Sequence, residues 1–227
     1  MNMPVQAQPV VFIPALLCDE AMYREVIAEL GSAVDAQVLM SPQPTLEASA
    51  ADILARAPER FVLVGTSYGG NLALRVALAA PERVSAICLM GCDPAAPKAG
   101  GPDLAGGLES APDAVIDLLA GLVVRKDATV AAATFRAMAG RVGAAAGAAQ
   151  ARAVGSRTDV VARLGTLGMP ALVLWGEDDE LAPMAVGRAM ADALPNARFE
   201  SLAQCGHLPT LEKPLESAAL LRALLAR

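Results

Sequence analysis

LVGTSYGGNLALRV, residues 63–76, begins as an apolar run of strand character, turns on small residues and continues as a helix, with Ser67 on the turn. Gly65-Thr66-Ser67-Tyr68-Gly69 fits the pattern G-x-S-x-G and sits where that pattern must, between a strand and a helix. A sharp elbow here puts the serine backbone in a strained conformation, and side chains two residues to either side would collide with the neighbouring strand and helix. Glycine at 65 and 69 removes both collisions. The same turn aims the free N–H groups of the helix start at the serine hydroxyl, where they face any developing anion. The stretch is therefore either a nucleophile's elbow or a tight connection that happens to contain a hydroxyl, and the surrounding chain has to decide between them.

Outward from the elbow, short apolar runs alternate with helix-length amphipathic segments. PVVFI (9–13), AQVLM (36–40), RFVLVG (60–65), RVSAICLMG (83–91), MPALVLWG (169–176) and ARFESL (197–202) read as strands. CDEAMYREVIAELG (18–31), TLEASAADILARAP (45–58), SYGGNLALRVALAAP (67–81), MAVGRAMADALP (184–195) and ESAALLRALLAR (216–227) read as helices, the second capped by Thr45 with Glu47 in its first turn. Pro42 and Pro44 mark a loop. Continuously apolar strands are buried on both faces, so the pattern predicts an α/β fold: a doubly wound, mainly parallel six-stranded sheet flanked by helices. Its sites would gather at the carboxyl ends of the strands. From Asp93 to about Arg157 the alternation stops, and the chain is first rich in Pro and Gly, then helical and heavy in alanine. The expected organisation is an α/β core of residues 1–94 and 156–227, interrupted by a helical lid at 95–155.

Composition narrows the chemistry. The 227 residues are 55% hydrophobic and 19% charged, enough for one large core and a small excursion from it. A net charge of −6, from 18 Lys+Arg against 24 Asp+Glu with no basic cluster, offers little to a phosphate backbone, so no nucleic acid partner is expected. No basic residue precedes Arg24, as a secretory signal would require, and even the apolar AVIDLLAGLVV carries Asp117, well short of the roughly 18 apolar residues of a membrane span. A soluble cytoplasmic protein, with no membrane insertion, is the expectation. Cys18, Cys88, Cys92 and Cys205 form no C-x-x-C pair and read as reduced, buried packing residues. With one histidine in the chain, neither a metal site nor a cofactor is expected.

A free serine hydroxyl is a weak nucleophile at neutral pH and needs a base within hydrogen-bond reach. That single histidine, His207, stands in SLAQCGHLPTLEKP, in a loop opened by Gly206 beyond the last strand, and follows the serine in the chain order expected of a triad. The base needs a carboxylate to fix its tautomer and balance its charge. LVLWGEDDELAP (172–183) offers Glu177, Asp178, Asp179 and Glu180 just beyond a strand. Spacing from Gly176 favours Asp179, with Asp178 next; Asp93, past the fourth strand in MGCDPA, would serve from the other side.

GTSYG at 65–69, Trp175–Pro183 and GHLPTLEKP at 206–214 make the chain similar to the α/β-hydrolase superfamily over nearly its whole length. The resemblance implies Ser67 as nucleophile, Asp179 as acid and His207 as base. IPALLCDE (13–20) resembles the family's loop after the first core strand, where His-Gly usually precedes the oxyanion residue. Pro14-Ala15 stands there instead, which makes Leu16 the oxyanion residue by alignment, together with Tyr68, whose N–H follows the nucleophile. The sequence starts at that strand without the N-terminal hairpin of many members, so a small version of the fold is expected, and 95–155 resembles the lid inserted after the sixth strand of the family's usual count.

The implied reaction is hydrolysis of a small or medium, largely apolar carboxylic ester through an acyl-enzyme. The lid is mostly Ala, Gly, Leu and Val, with Phe135 as its aromatic residue, and Leu119, Leu122, Phe135 and Met138 are its candidate substrate contacts. The same triad would also suit carbon–carbon bond hydrolysis, lactone opening, perhydrolysis or a lyase step; a non-catalytic protein binding a small ligand in the pocket is a further alternative. A serine at the elbow argues against the dehalogenase branch, where the resemblance places an aspartate. Exposed apolar lid surface would favour a homodimer.

Overall fold

The computed structural model describes residues 7–227 apart from 42 and 99; residues 1–6 and Pro42, both read above, lie outside the described residues. Six strands form one parallel sheet: β1 (Gln8–Ile13), β2 (Val34–Val38), β3 (Phe61–Thr66), β4 (Val84–Met90), β5 (Ala171–Gly176) and β6 (Ala197–Leu202), in the order β2-β1-β3-β4-β5-β6. The chain leaves β1 toward one edge and returns on its other side at β3. That reversal opens a crevice at the carboxyl ends of β1 and β3, the place where open α/β sheets hold ligands. Leu16 and Ser67 flank this crevice, each just past one of the two strands.

The two-residue period of the strands divides the core into two layers. Val10, Phe12, Val62, Val64, Cys88 and Met90 face one side, where they pack with Tyr23, with Val26 and Leu30 of α1 (Arg24–Leu30), and with Leu221 and Leu224 of α10 (Pro214–Leu225). Val11, Ile13, Leu63, Ile87, Val173 and Trp175 face the other, against Ile53 of α2 (Leu46–Arg56), Leu72 and Val76 of α3 (Tyr68–Ala79) and Met190 of α8 (Met184–Ala193). Every residue of β3 and β5 is buried, as their unbroken apolar runs require.

Between β4 and β5 the chain forms α4 (Leu104–Ser110), α5 (Pro112–Leu122), α6 (Thr129–Val142) and α7 (Ala144–Gly155), with α4 packed on α7 and α5 on α6. Among the described residues, no helix is long and apolar enough to cross a membrane. Four elements depart from the sequence expectation. The helix expected at 18–31 is a single 3-10 turn, Glu20–Met22, capped by the Asp19 carboxylate on the Ala21 N–H, followed by the shorter α1. Gly31, at φ +60, bends the chain into a second 3-10 turn that leads straight into β2, which therefore starts at Val34 rather than at Ala36. Pro214 opens α10 two residues before the expected start, and a short helix, α9 (Pro209–Glu212), occupies what reads as loop.

The elbow itself rests on backbone contact. A Cβ at Gly69 would strike the Ile13 and Pro14 carbonyls at the end of β1, and one at Gly65 would strike the Gly69 carbonyl. Neither obstacle is a flexible side chain, so Gly69→Ala should destabilise the fold by about 1–3 kcal/mol. Urea midpoints of the variant and the wild type measure it, and coincident curves would contradict this account of the elbow.

Candidate active site

Ser67 lies at φ 55°, ψ −116°, a left-handed conformation that costs a non-glycine residue energy. Its surroundings hold it there. The Ser67 N–H donates to Met90 O at the end of β4 (2.7 Å), and its carbonyl accepts from the N–H (3.0 Å) and side-chain amide (3.3 Å) of Asn71. On the other side, the Tyr23 phenol donates to Ile13 O (2.9 Å) and stands 2.9 Å from Thr66 Oγ1, so one buried hydroxyl ties the end of β1 to the residue before the serine. The Ser67 side chain does not cap its own helix and remains available to the cavity that it lines.

His207 reaches the same cavity from the loop after β6. Its Nδ1 lies 2.8 Å from Asp179 Oδ2, with the two side chains only 5% and 2% exposed. The other carboxylate oxygen of Asp179 accepts the Leu181 and Ala182 N–H groups, each at 2.9 Å. Asp179 is thus fixed in orientation by contacts on both oxygens, and a carboxylate in this position pairs with the imidazole tautomer that carries its proton on Nδ1 and its lone pair on Nε2. Trp175, fully buried on β5, steadies this acidic loop by donating its indole N–H to Ala182 O (2.8 Å).

Among the described residues none of the competing acids is bonded to the His207 ring, although Asp93 lines the same cavity. Asp178 is exposed and pairs with Arg125 (2.6 Å), Glu177 accepts from the Ser201 hydroxyl (2.9 Å), and Asp93 accepts from the Ala95 N–H (2.9 Å). Two positions that the sequence reading missed shape the histidine. Gly91, at φ +56 after β4, leaves room for the ring: a Cβ there would lie 2.8 Å from His207 Cε1. Glu212 of α9 accepts the Gly206 N–H (2.9 Å) and the Arg125 N–H (3.0 Å), anchoring the histidine loop; burial pushes its carboxyl up, against the opposing pull of these donors. The signal for Glu212 lay within GHLPTLEKP, but no periodicity distinguishes it from a surface glutamate.

Leu16 and Tyr68 both line the cavity, and neither backbone N–H has a protein partner among the described residues. The cavity is about 850 Å³ and mostly apolar, with Leu16, Leu104, Leu119, Val123, Phe135, Val186 and Leu208 in its walls. Lys98, Asp93, Asp103, Arg152 and Arg157 add charge. Of the four expected substrate contacts, Leu119 and Phe135 line the cavity while Leu122 and Met138 do not. The wall here is made by Leu119 of α5 and by Val123, the residue that caps the helix, one turn apart on a single face that does not include Leu122. Met138 is fully buried in the packing of α6 onto the core. Arg152 went unassigned because helical spacing in an alanine-rich segment does not reveal which face is covered, and the other charged wall residues lie outside the helices, where no periodicity marks them.

Among the described residues, no cluster of His, Cys, Asp and Glu is arranged to hold a metal ion. The four cysteines are free and buried. Burial pushes the Cys92 thiol up to about 12, and also raises Cys18, Cys88 and Cys205. Iodoacetamide at neutral pH should therefore leave the folded protein unmodified and add four groups once urea unfolds it, as intact mass reports; a modified thiol in the folded protein would overturn the assignment of all four as inert.

A parallel sheet with a serine at a strained elbow, and an acid–histidine pair assembled beside it from later strand ends, defines a recognisable class. Residues 15–220 match the model of the Alpha/beta hydrolase family, and the chain belongs to that family. It is 32% identical, over 170 residues, to the 2-hydroxy-6-oxononadienedioate/2-hydroxy-6-oxononatrienedioate hydrolase of Cupriavidus pinatubonensis, covering 66% of this chain and 56% of that protein, so the match spans little more than half of that relative. It is 31% identical, over 197 residues, to the pimeloyl-(acyl-carrier protein) methyl ester esterase of Aromatoleum aromaticum, covering 78% of this chain and 79% of that one. Among solved structures, the enol-lactonase from Burkholderia xenovorans LB400 superposes with a TM-score of 0.87 over 97% of this chain and 92% of that chain, at 20% identity, a likeness of fold.

Proposed function

We propose that the protein is a serine hydrolase that cleaves a small or medium, largely apolar carboxylic ester through an acyl-enzyme. The observation that carries this reading is the buried 2.8 Å contact between His207 and Asp179, in the cavity that the strained Ser67 also lines. His207 Nε2 takes the Ser67 proton as Oγ attacks the acyl carbonyl. The Leu16 and Tyr68 N–H groups receive the oxyanion, each such donor being worth roughly 3–4 kcal/mol in the barrier. His207 then protonates the leaving alcohol and activates water against the acyl-enzyme, while Asp179 balances the imidazolium. Side chains, backbone amides and water supply every step.

One observation favours a second reading. Lys98, Arg152 and Arg157 lie in the cavity wall together with Asp93 and Asp103, and Arg152 pairs with Glu109, so Lys98 and Arg157 are the cations that would meet a substrate with an anionic end remote from its scissile bond. The Cupriavidus pinatubonensis relative is named for hydrolysis of a dioate, so carbon–carbon bond hydrolysis of an acidic substrate with the same triad is the alternative. p-Nitrophenyl esters of increasing chain length, with and without a terminal carboxylate, separate the two: the ester reading expects turnover to peak with an uncharged acyl chain.

A fluorophosphonate probe should label the wild type and not Ser67→Ala, whose kcat should fall at least about 10⁴-fold; Asp179→Asn should fall by a similar factor with its fold intact. Labelling that survives in Ser67→Ala, or undiminished turnover, would end the proposal.

A further inference from the structure

The oxyanion loop is held by helices far away in the chain. Of the four successive backbone N–H groups at residues 15–18, three are already engaged: Ala15 donates to Met22 Sδ (3.4 Å), Leu17 to Gln150 Oε1 (2.9 Å) and Cys18 to Ala15 O (3.0 Å). Among the described residues the Leu16 N–H has no protein partner, and Leu16 lines the cavity. Leu17 takes a left-handed φ of +61, unusual for a leucine, so this selection of donors depends on a backbone that would relax if it were released.

What prevents release comes from α6 and α7. Gln150 of α7 is buried, and its carbonyl is the acceptor for the Leu17 N–H, 133 residues away in sequence. The Leu17 side chain is fully buried against Gly147, one turn earlier on α7, where a Cβ would strike Leu17 Cδ2. Arg141 of α6 grips the far end of the loop, with Nε and Nη2 bonded to the two oxygens of Asp19 at 2.7 and 3.0 Å. Burial raises the Asp19 carboxyl, yet the Arg141 fork and the Ala21 N–H outweigh it and hold Asp19 below the usual carboxylate range. Neighbouring Ala151 and Arg152 of α7 line the cavity, so the helix that supports the donor also meets the substrate.

We infer that Gln150 is a positioning residue for the oxyanion donor: by accepting the Leu17 N–H, it keeps the turn in its left-handed form and the Leu16 N–H directed at the reacting carbonyl. The inference rests on the proposed roles of Ser67 and Leu16. Without the acceptor, a buried N–H stands unsatisfied, and the Leu17 peptide rotates to find another partner, carrying Leu16 with it. Catalysis is sensitive to displacements of this size.

Gln150→Met removes the acceptor at similar volume, whereas Gln150→Glu keeps an oxygen in its place. Fluorophosphonate titration to completion counts the functional sites in each preparation, so that rates are expressed per active serine and misfolded protein drops out. Per site, Gln150→Met should lose about 10- to 100-fold in kcat at little changed KM, and Gln150→Glu should recover most of it. A trifluoromethyl ketone, which forms a hemiketal oxyanion on Ser67, should weaken in proportion to kcat/KM, while affinity for the product acid stays constant. Wild-type kcat per site in Gln150→Met, or a loss borne by KM and product affinity alone, would overturn the inference while leaving the Ser67 reading intact. A wild type that neither labels nor turns over would remove that underlying reading and the inference with it.

Discussion

A serine held at φ 55° is the constraint around which this molecule is arranged. The conformation is unfavourable by itself, and it persists because the ends of three neighbouring strands determine it together. β3 delivers the serine, Met90 at the end of β4 accepts its N–H, and the end of β1 meets α3 so closely that position 69 has room only for hydrogen. Tyr23 closes the arrangement by joining the end of β1 to Thr66. Moving any of these strand ends would relieve the strain and turn the hydroxyl away from the cavity.

The remaining parts follow from the same geometry. Because the sheet is parallel, each strand ends on the same edge, and separate strand ends bring separate groups there: a backbone amide after β1, the hydroxyl after β3, a carboxylate after β5 and an imidazole after β6. The carboxylate is buried without instability because both of its oxygens are occupied, one by His207 and one by two amides of its own turn. The imidazole inherits its tautomer from that contact and its clearance from Gly91. The helices between β4 and β5 complete the cavity, and through Gln150 and Arg141 they also reach back to the loop after β1.

Legibility in the sequence tracked the range of the interaction. The strands were visible because burial on both faces leaves unbroken apolar runs, and the elbow because its glycines answer to a local steric demand. Asp179 stood out from its acidic neighbours by its spacing from Gly176, and the structure sets it on His207. Where the determining contact is distant, the pattern misled. Helical periodicity between Cys18 and Gly31 concealed a break at Asp19, which caps a short turn while Arg141, 122 residues away, holds its carboxylate. Leu17 carries no mark of its left-handed backbone, because a leucine is held there by packing and by a glutamine 133 residues away. Leu122 and Met138 shared the helical spacing of Leu119 and Phe135, but which of them meets the cavity depends on how α5 and α6 seat on the core.

Whether Ser67 carries the acyl group during turnover is read by rapid acid quench of the wild type with a p-nitrophenyl ester, followed by peptide mapping. If Ser67 carries the acyl group, the quenched protein holds an acyl mass increment confined to the peptide containing Ser67, and p-nitrophenol appears in a burst matching the number of active sites for an ester whose deacylation is the slower step. Steady turnover of such an ester with no acylated peptide, or with the increment on another residue, would contradict that role for Ser67.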